Sequence, residues 1–109
     1  MKLQEYIKEL NYRIEVTSKY TQERSFLLSN TSSKSTDYKL IKENLDKKQN
    51  TLKQYKKDLE RAKKAKALIV LKEDYSILEG FNDIGLANEE YQLLNPRKYY
   101  LVVEYWKLH

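Results

Sequence analysis

Apolar residues recur at alternating spacings of three and four along the first part of the chain. This spacing is typical of a coiled-coil seam, because it keeps one side of a helix facing its partner. It predicts a first helix over residues 2–28, in which Tyr6, Tyr20 and Leu27 widen the apolar stripe. The seam positions are Leu3, Ile7, Leu10, Ile14, Thr17, Thr21, Arg24 and Leu28.

A run of small polar residues follows over positions 29–36. Their hydroxyl and amide side chains compete for backbone hydrogen bonds and favour turns and caps, so this run predicts an exposed loop. Thr36 is the expected N-cap of the next helix, and Ser35 is the alternative cap.

The same alternation resumes at Tyr38 and continues to Ile69 without a glycine or proline. It predicts a long second helix over residues 37–79, which Gly80 is expected to terminate. Folded antiparallel about the loop, the two helices pair Thr21 with Leu45 and Ile14 with Leu52.

The apolar run Ala67-Leu68-Ile69-Val70-Leu71 needs burial on more than one side. We favour a helix here, because the run continues the heptads without a turn signal. The alternative is a strand over Leu68 to Lys72 that pairs with residues 99–106, since a short apolar run has no decisive period.

Residues 80–109 differ from the helices in composition and predict a small aromatic head. Asn88 to Leu94 suggest one short helix, closed where Pro96 pushes Asn95 out of helical geometry. Residues 99–106 are rich in aromatic and β-branched side chains and predict a strand.

The predicted fold is therefore a single, mainly α domain: an antiparallel, coiled-coil-like helical hairpin with a small C-terminal aromatic α/β head. One hairpin leaves Tyr6, Tyr20, Leu27 and residues 67–71 incompletely covered. Because two hairpins close a four-helix bundle, we expect a homodimer, with internal cover by the C-terminal segment as the competing explanation.

Composition adds constraints on compartment and chemistry. The chain of 109 residues has no cysteine, which favours a reducing compartment and excludes thiolate metal sites. We expect a cytoplasmic location, since the charged N-terminus lacks a signal-peptide pattern and no apolar run is long enough to cross a membrane.

Charge is unevenly distributed. The net charge of +5 consists of +2 over residues 1–36, +7 over residues 37–72 and −4 over residues 73–109. The basic middle suggests an alternative function, sequence-nonspecific nucleic-acid binding, because phosphate contacts depend on such cations. These cations are distributed around the second helix: Lys47, Lys53, Lys56, Lys57, Arg61, Lys63, Lys64 and Lys66.

Catalytic motifs are not recognisable, and we predict no catalytic residue, metal or cofactor. The one histidine, His109, is the last residue of the chain and has no second histidine or cysteine as a companion. A carboxylate-dependent enzyme is a remote alternative, based on six acidic residues in one stretch: Glu73, Asp74, Glu79, Asp83, Glu89 and Glu90.

Ten tyrosines and one tryptophan are many for this length, and large amphipathic rings are enriched in protein interfaces. The sequence therefore predicts a non-enzymatic protein that docks onto a macromolecular partner, with a protein as the expected partner. In size and composition the chain resembles accessory proteins of phages or mobile elements, including inhibitors of host machinery. The predicted partner-binding residues are Tyr91, Arg97, Lys98, Tyr99, Tyr100, Tyr105 and Trp106.

Overall fold

A computed structural model describes residues 1–104, in which two long helices precede a small sheet and a third helix. The hairpin forms an arm that projects from a small head, and the molecule measures 62 × 23 × 18 Å. The predicted fold class is confirmed. In chain order the elements are α1 (Leu3–Ser29), α2 (Thr36–Lys64), β1 (Ala67–Leu71), β2 (Ile77–Phe81), α3 (Ile84–Gln92) and β3 (Tyr99–Val103).

Helices α1 and α2 pack antiparallel, as the seam pattern predicts. Thr21 and Leu45, which the predicted register pairs, are both buried. The Ser35 side chain accepts a hydrogen bond from the Asp37 amide at 3.2 Å, so the N-cap is the alternative, Ser35, rather than Thr36. Each helix of the arm covers only one side of the other, and Leu52 is consequently only half-buried.

The prediction of a single helix over residues 37–79 is wrong, because α2 ends at Lys64. Ala65 is already extended, with φ −99° and ψ 155°, and Ala67–Leu71 forms β1. Ile69 and Val70 are β-branched and favour a strand, and the run is buried on both faces of the sheet. The strand alternative is therefore correct. The head consequently begins with β1 and not at residue 80, as predicted.

The sheet has the order β2-β1-β3, with both neighbours antiparallel to the central β1. Leu68 and Val70 face the hairpin and pack with Tyr6, while Ala67 packs with Ala87 of α3 on the other face. Gly80 does not terminate a helix, because it lies within β2 and pairs with Leu68.

The start of the chain is tied to the outer edge of β3. The amino group of Met1 donates to the Leu101 carbonyl at 3.1 Å, and the Val103 amide donates to the Met1 carbonyl at 3.0 Å. The strand predicted over residues 99–106 is confirmed for Tyr99–Val103, and positions 105 and 106 lie outside the described residues.

Helix α3 begins earlier than the predicted helix Asn88 to Leu94. Its N-cap is Asp83, whose carboxylate accepts hydrogen bonds from the amides of Gly85 at 2.7 Å and Leu86 at 3.2 Å. Because Asp83 caps the helix, Glu89 and Glu90 lie in the second half of α3 instead of its first turn.

The head also covers much of the surface on which the homodimer prediction depends. Tyr6 is fully buried, and residues 67–70 are buried between the hairpin and α3. The competing explanation, in which the C-terminal segment covers these residues within one chain, is therefore correct for Tyr6 and residues 67–70. Leu27 stays exposed, and the homodimer itself remains a prediction.

Candidate interaction surfaces

A groove lies where the end of β1 meets the turn that precedes β3. Its walls come from residues 71–73 and 97–99, and its volume is about 490 Å³. The Lys72 amide donates to the Lys98 carbonyl at 2.9 Å and ties the two walls together. We call this feature the cationic groove, lined by Leu71, Lys72, Glu73, Arg97, Lys98 and Tyr99.

The turn that carries the cations is held by its own backbone. The Asn95 side chain accepts a hydrogen bond from the Arg97 amide at 3.0 Å, and the Asn95 carbonyl accepts one from the Lys98 amide at 3.0 Å. The Tyr91 hydroxyl, from α3, donates to the Tyr99 carbonyl at 3.1 Å. The backbone of Arg97 and Lys98 is thus ordered, while both side chains are exposed.

The predicted partner-binding residues divide into four groups. Arg97, Lys98 and Tyr99 line the cationic groove. The Tyr91 hydroxyl instead stabilises the fold through its hydrogen bond to the Tyr99 carbonyl. Tyr100 packs against the core between hairpin and head. Tyr105 and Trp106 lie outside the described residues.

An aromatic and cationic cluster joins the arm to the head. The guanidinium carbon of Arg13 lies 4.1 Å from the centre of the Tyr75 ring and 5.9 Å from that of Tyr55. The rings of Tyr75 and Tyr100 meet edge to face with centroids 5.9 Å apart, and the Lys72 Nζ lies 4.7 Å from the Tyr100 centroid. These cation–π and aromatic contacts stabilise the junction between the arm and the head.

Tyr75 has a left-handed backbone, with φ at 61°. This conformation is costly for a bulky residue, so its surroundings must hold it. The Tyr75 amide donates to the Leu71 carbonyl at 2.9 Å, and its own carbonyl accepts a hydrogen bond from the Tyr6 hydroxyl at 2.6 Å. The β1–β2 turn is therefore tied to α1 at this residue.

Asp58 is a fully buried carboxylate at the same junction. Its Oδ1 accepts a hydrogen bond from Gln54 Nε2 at 3.0 Å, whereas Oδ2 has no hydrogen-bond partner among the described residues. Burial raises the pKa of Asp58, and the Gln54 hydrogen bond opposes that rise. Burial also raises the pKa of Tyr6, and the nearby Asp58 carboxylate adds to the effect.

Four large apolar side chains are exposed on α1: Tyr12, Val16 and Phe26 on the side away from the seam, and Leu27 between that side and the seam. Tyr12 is 62% exposed, Val16 49%, Phe26 73% and Leu27 42%. We call this surface the outer α1 face. The seam pattern does not predict Tyr12, Val16 and Phe26 on this face, although positions 12, 16, 19, 23 and 26 repeat the alternation of three and four two residues after the seam.

The cations proposed to bind nucleic acid are all exposed, seven on α2 and Lys66 between α2 and β1. At about 100° per residue, Lys53, Lys57 and Lys64 share one face of α2. Lys47, six residues before Lys53, lies about 120° away from it around the helix. The Lys63 ammonium lies 3.9 Å from Glu60, so part of this charge is balanced within the helix.

Within residues 1–104, no three or more His, Asp or Glu side chains are arranged to hold a metal ion. The same part of the chain has no helix with both the length and the apolar character needed to cross a bilayer. Comparisons of this chain with protein-family models, with curated proteins and with solved structures found no match.

Proposed function

We propose that this chain is a non-enzymatic interaction protein whose arm docks onto a protein partner through the outer α1 face. The observation that carries the proposal is the exposure of Tyr12, Val16, Phe26 and Leu27 along one side of a single helix. Exposed apolar patches on a protein surface often mark interaction sites.

The geometry favours a protein groove as the surface that receives the arm. Val16 follows Tyr12 by one helical turn, and Phe26 and Leu27 add anchors three turns further along. Aromatic anchors of this type supply much of the binding energy when a partner excludes water from them. Lys19 and Glu23 lie between the anchors and set the register of the partner through charge.

Affinity capture with the full chain tests this function. We expect Val16→Glu and Phe26→Glu each to abolish capture of a partner from the native host. Each substitution places a charge in the surface that the partner would bury. Both residues are exposed, so the fold is expected to stay intact by circular dichroism. Asn50→Glu, on the exposed side of α2, is the matched control and should leave capture unchanged. Equal capture by all variants contradicts the proposal.

Nucleic-acid binding is the second candidate function, and the shared face of Lys53, Lys57 and Lys64 supports it. Binding through these residues depends on released counterions, so the affinity should fall steeply as salt rises. The double variant Lys53→Glu/Lys57→Glu should then lose binding to a DNA or RNA oligonucleotide, while Val16→Glu should not. Absence of binding at low salt excludes this second function.

An accessory role in a phage or mobile element, acting in the host cytoplasm, stays our expectation from composition. The absence of cysteine supports a reducing compartment. Capture of a host enzyme or regulator, followed by an assay of its activity with and without this chain, tests whether the chain is an inhibitor.

A further inference from the structure

We propose that the cationic groove binds a phosphate monoester, carried either by a small molecule or by a side chain of a protein. This site is separate from the outer α1 face and does not depend on the proposed function. Its basic lining residues are Lys72 on one wall and Arg97 and Lys98 on the other, and its single acidic lining residue is Glu73.

The placement of charge in the head supports an anionic ligand. Residues 73–104 contain seven acidic residues but only two basic ones, and both basic residues line the cationic groove. Lys72, at the end of β1, adds positive charge beside the groove, and its ammonium lies 4.7 Å from the centre of the Tyr100 ring. The groove is therefore a local positive site in an otherwise acidic part of the chain, where a compact anion finds its best position.

Hydrogen bonds order the backbone that carries these cations. The Asn95 turn fixes the amides of Arg97 and Lys98, and the Lys72–Lys98 hydrogen bond sets the distance between the two walls. A preordered site loses less conformational entropy on binding. The planar guanidinium of Arg97 matches two phosphate oxygens at once, which a lysine ammonium does not.

A phosphate monoester fits this site better than a nucleic-acid strand. It concentrates about −1.5 to −2 charges and three acceptor oxygens in one group, which the cations of Arg97 and Lys98 can contact together. A strand carries one charge per phosphate over a long path, so it presents less charge to the groove at any one point. The groove volume of about 490 Å³ is also larger than the volume of a phosphate group. Leu71 and Tyr99 offer apolar surface to the organic group that carries the phosphate.

Titration of the isotope-labelled full chain, followed by amide NMR spectra, tests this site. The probes are phenyl phosphate, a peptide with one phosphotyrosine, its unphosphorylated form and a single-stranded oligonucleotide. We expect phenyl phosphate to shift the amides of Lys72, Arg97, Lys98 and Tyr99 at millimolar concentration or below. Phosphopeptide binding at least tenfold tighter than that of phenyl phosphate identifies a protein side chain as the source. Equal or weaker binding of the phosphopeptide identifies a small molecule.

Three variants make the assignment specific. Arg97→Ala should weaken phenyl phosphate binding at least tenfold, because it removes the two-oxygen contact. Glu73→Gln should strengthen binding severalfold, since it removes the one repulsive carboxylate in the groove. Lys39→Ala, at an exposed position of α2, is the matched control and should change nothing.

Three results overturn the proposal: no amide shifts at millimolar phenyl phosphate, equal binding by wild type and Arg97→Ala, or tighter binding of the oligonucleotide than of both phosphate monoesters. Val16→Glu separates this inference from the proposed function. That variant should lose the protein partner and keep phosphate monoester binding.

Discussion

The Tyr6 hydroxyl makes one of the hydrogen bonds that hold Tyr75 in its left-handed conformation. Tyr6→Phe removes this bond to the Tyr75 carbonyl and leaves no cavity, so we expect a loss of about 1–2 kcal/mol in unfolding free energy. Tyr12→Phe is the matched control, because the Tyr12 side chain is 62% exposed and its loss should stay below about 0.5 kcal/mol. Urea denaturation of both variants measures the difference. Equal losses contradict this role of the Tyr6 hydroxyl.

Asp58 links stability to pH. Its folded-state pKa lies above the ordinary value of 3.8, so the folded chain holds its proton more tightly than the unfolded chain. Its contribution to stability is therefore fully present below pH 3.8 and is lost as the pH rises through the folded-state pKa. We expect Asp58→Asn to be more stable than wild type at neutral pH, by on the order of 1 kcal/mol.

The measurement for Asp58 is the difference in urea midpoint between Asp58→Asn and wild type across pH. Taking a difference removes the effect of other carboxyl groups, such as Asp74, whose pKa is lowered by its hydrogen bond from Ser76. The advantage of Asp58→Asn should vanish in acid. An advantage that is the same at all pH values, or a variant less stable than wild type at neutral pH, refutes this account of Asp58.

Among the elements, β1 should contribute more to stability than the middle of α2. Leu68 is fully buried between the sheet and the hairpin, so Leu68→Ala should cost about 2–5 kcal/mol. Leu52 lies in the two-helix seam and is half-buried, so Leu52→Ala should cost roughly 1–2 kcal/mol, and exposed Lys53→Ala almost nothing. Denaturant unfolding gives all three values. A larger loss at Leu52 than at Leu68 contradicts a core centred on the head.

The two long helices could be predicted because their seams repeat over many turns. The end of α2 could not, because Ala62, Lys66 and Ile69 continue the same alternation into β1. Only the tertiary arrangement decides whether this segment is a helix or a strand. The hairpin buries one face of β1 and α3 buries the other, and the alternating side chains of a strand supply apolar surface to both.

The candidate site was predictable only where its residues are neighbours in sequence. Arg97, Lys98 and Tyr99 could be singled out together, but Lys72 joins them only through the β1–β3 register, in which Leu71 pairs with Tyr99. That register depends on β1 being a strand. The outer α1 face was missed because Val16 and Phe26 belong to a second, shorter repeat with a lysine and a glutamate between its apolar positions.

The shape of the whole molecule leaves the arm accessible on most sides. Its radius of gyration is 17.7 Å, whereas a compact chain of this length is expected to have about 13 Å. The homodimer predicted from the sequence now depends on the exposed arm, because the head covers Tyr6 and residues 67–70 internally.

We expect that homodimer to form through the outer α1 face when no partner is present. Sedimentation velocity at high micromolar concentration should show a dimer for wild type and a monomer for Val16→Glu, since a buried glutamate is costly. Asn50→Glu should sediment like wild type. A wild-type monomer at these concentrations argues against self-association, and a dimer of Val16→Glu places the interface elsewhere.

The most direct test of the proposed docking function is site-specific photocrosslinking in the native host. A photoreactive phenylalanine analogue replaces Val16 in one variant and Lys39, on the exposed side of α2, in another. We predict that position 16 yields a crosslink to one protein partner, that Phe26→Glu in the same chain abolishes it, and that position 39 yields none. The account is contradicted if position 39 captures the same partner as efficiently, or if position 16 captures none.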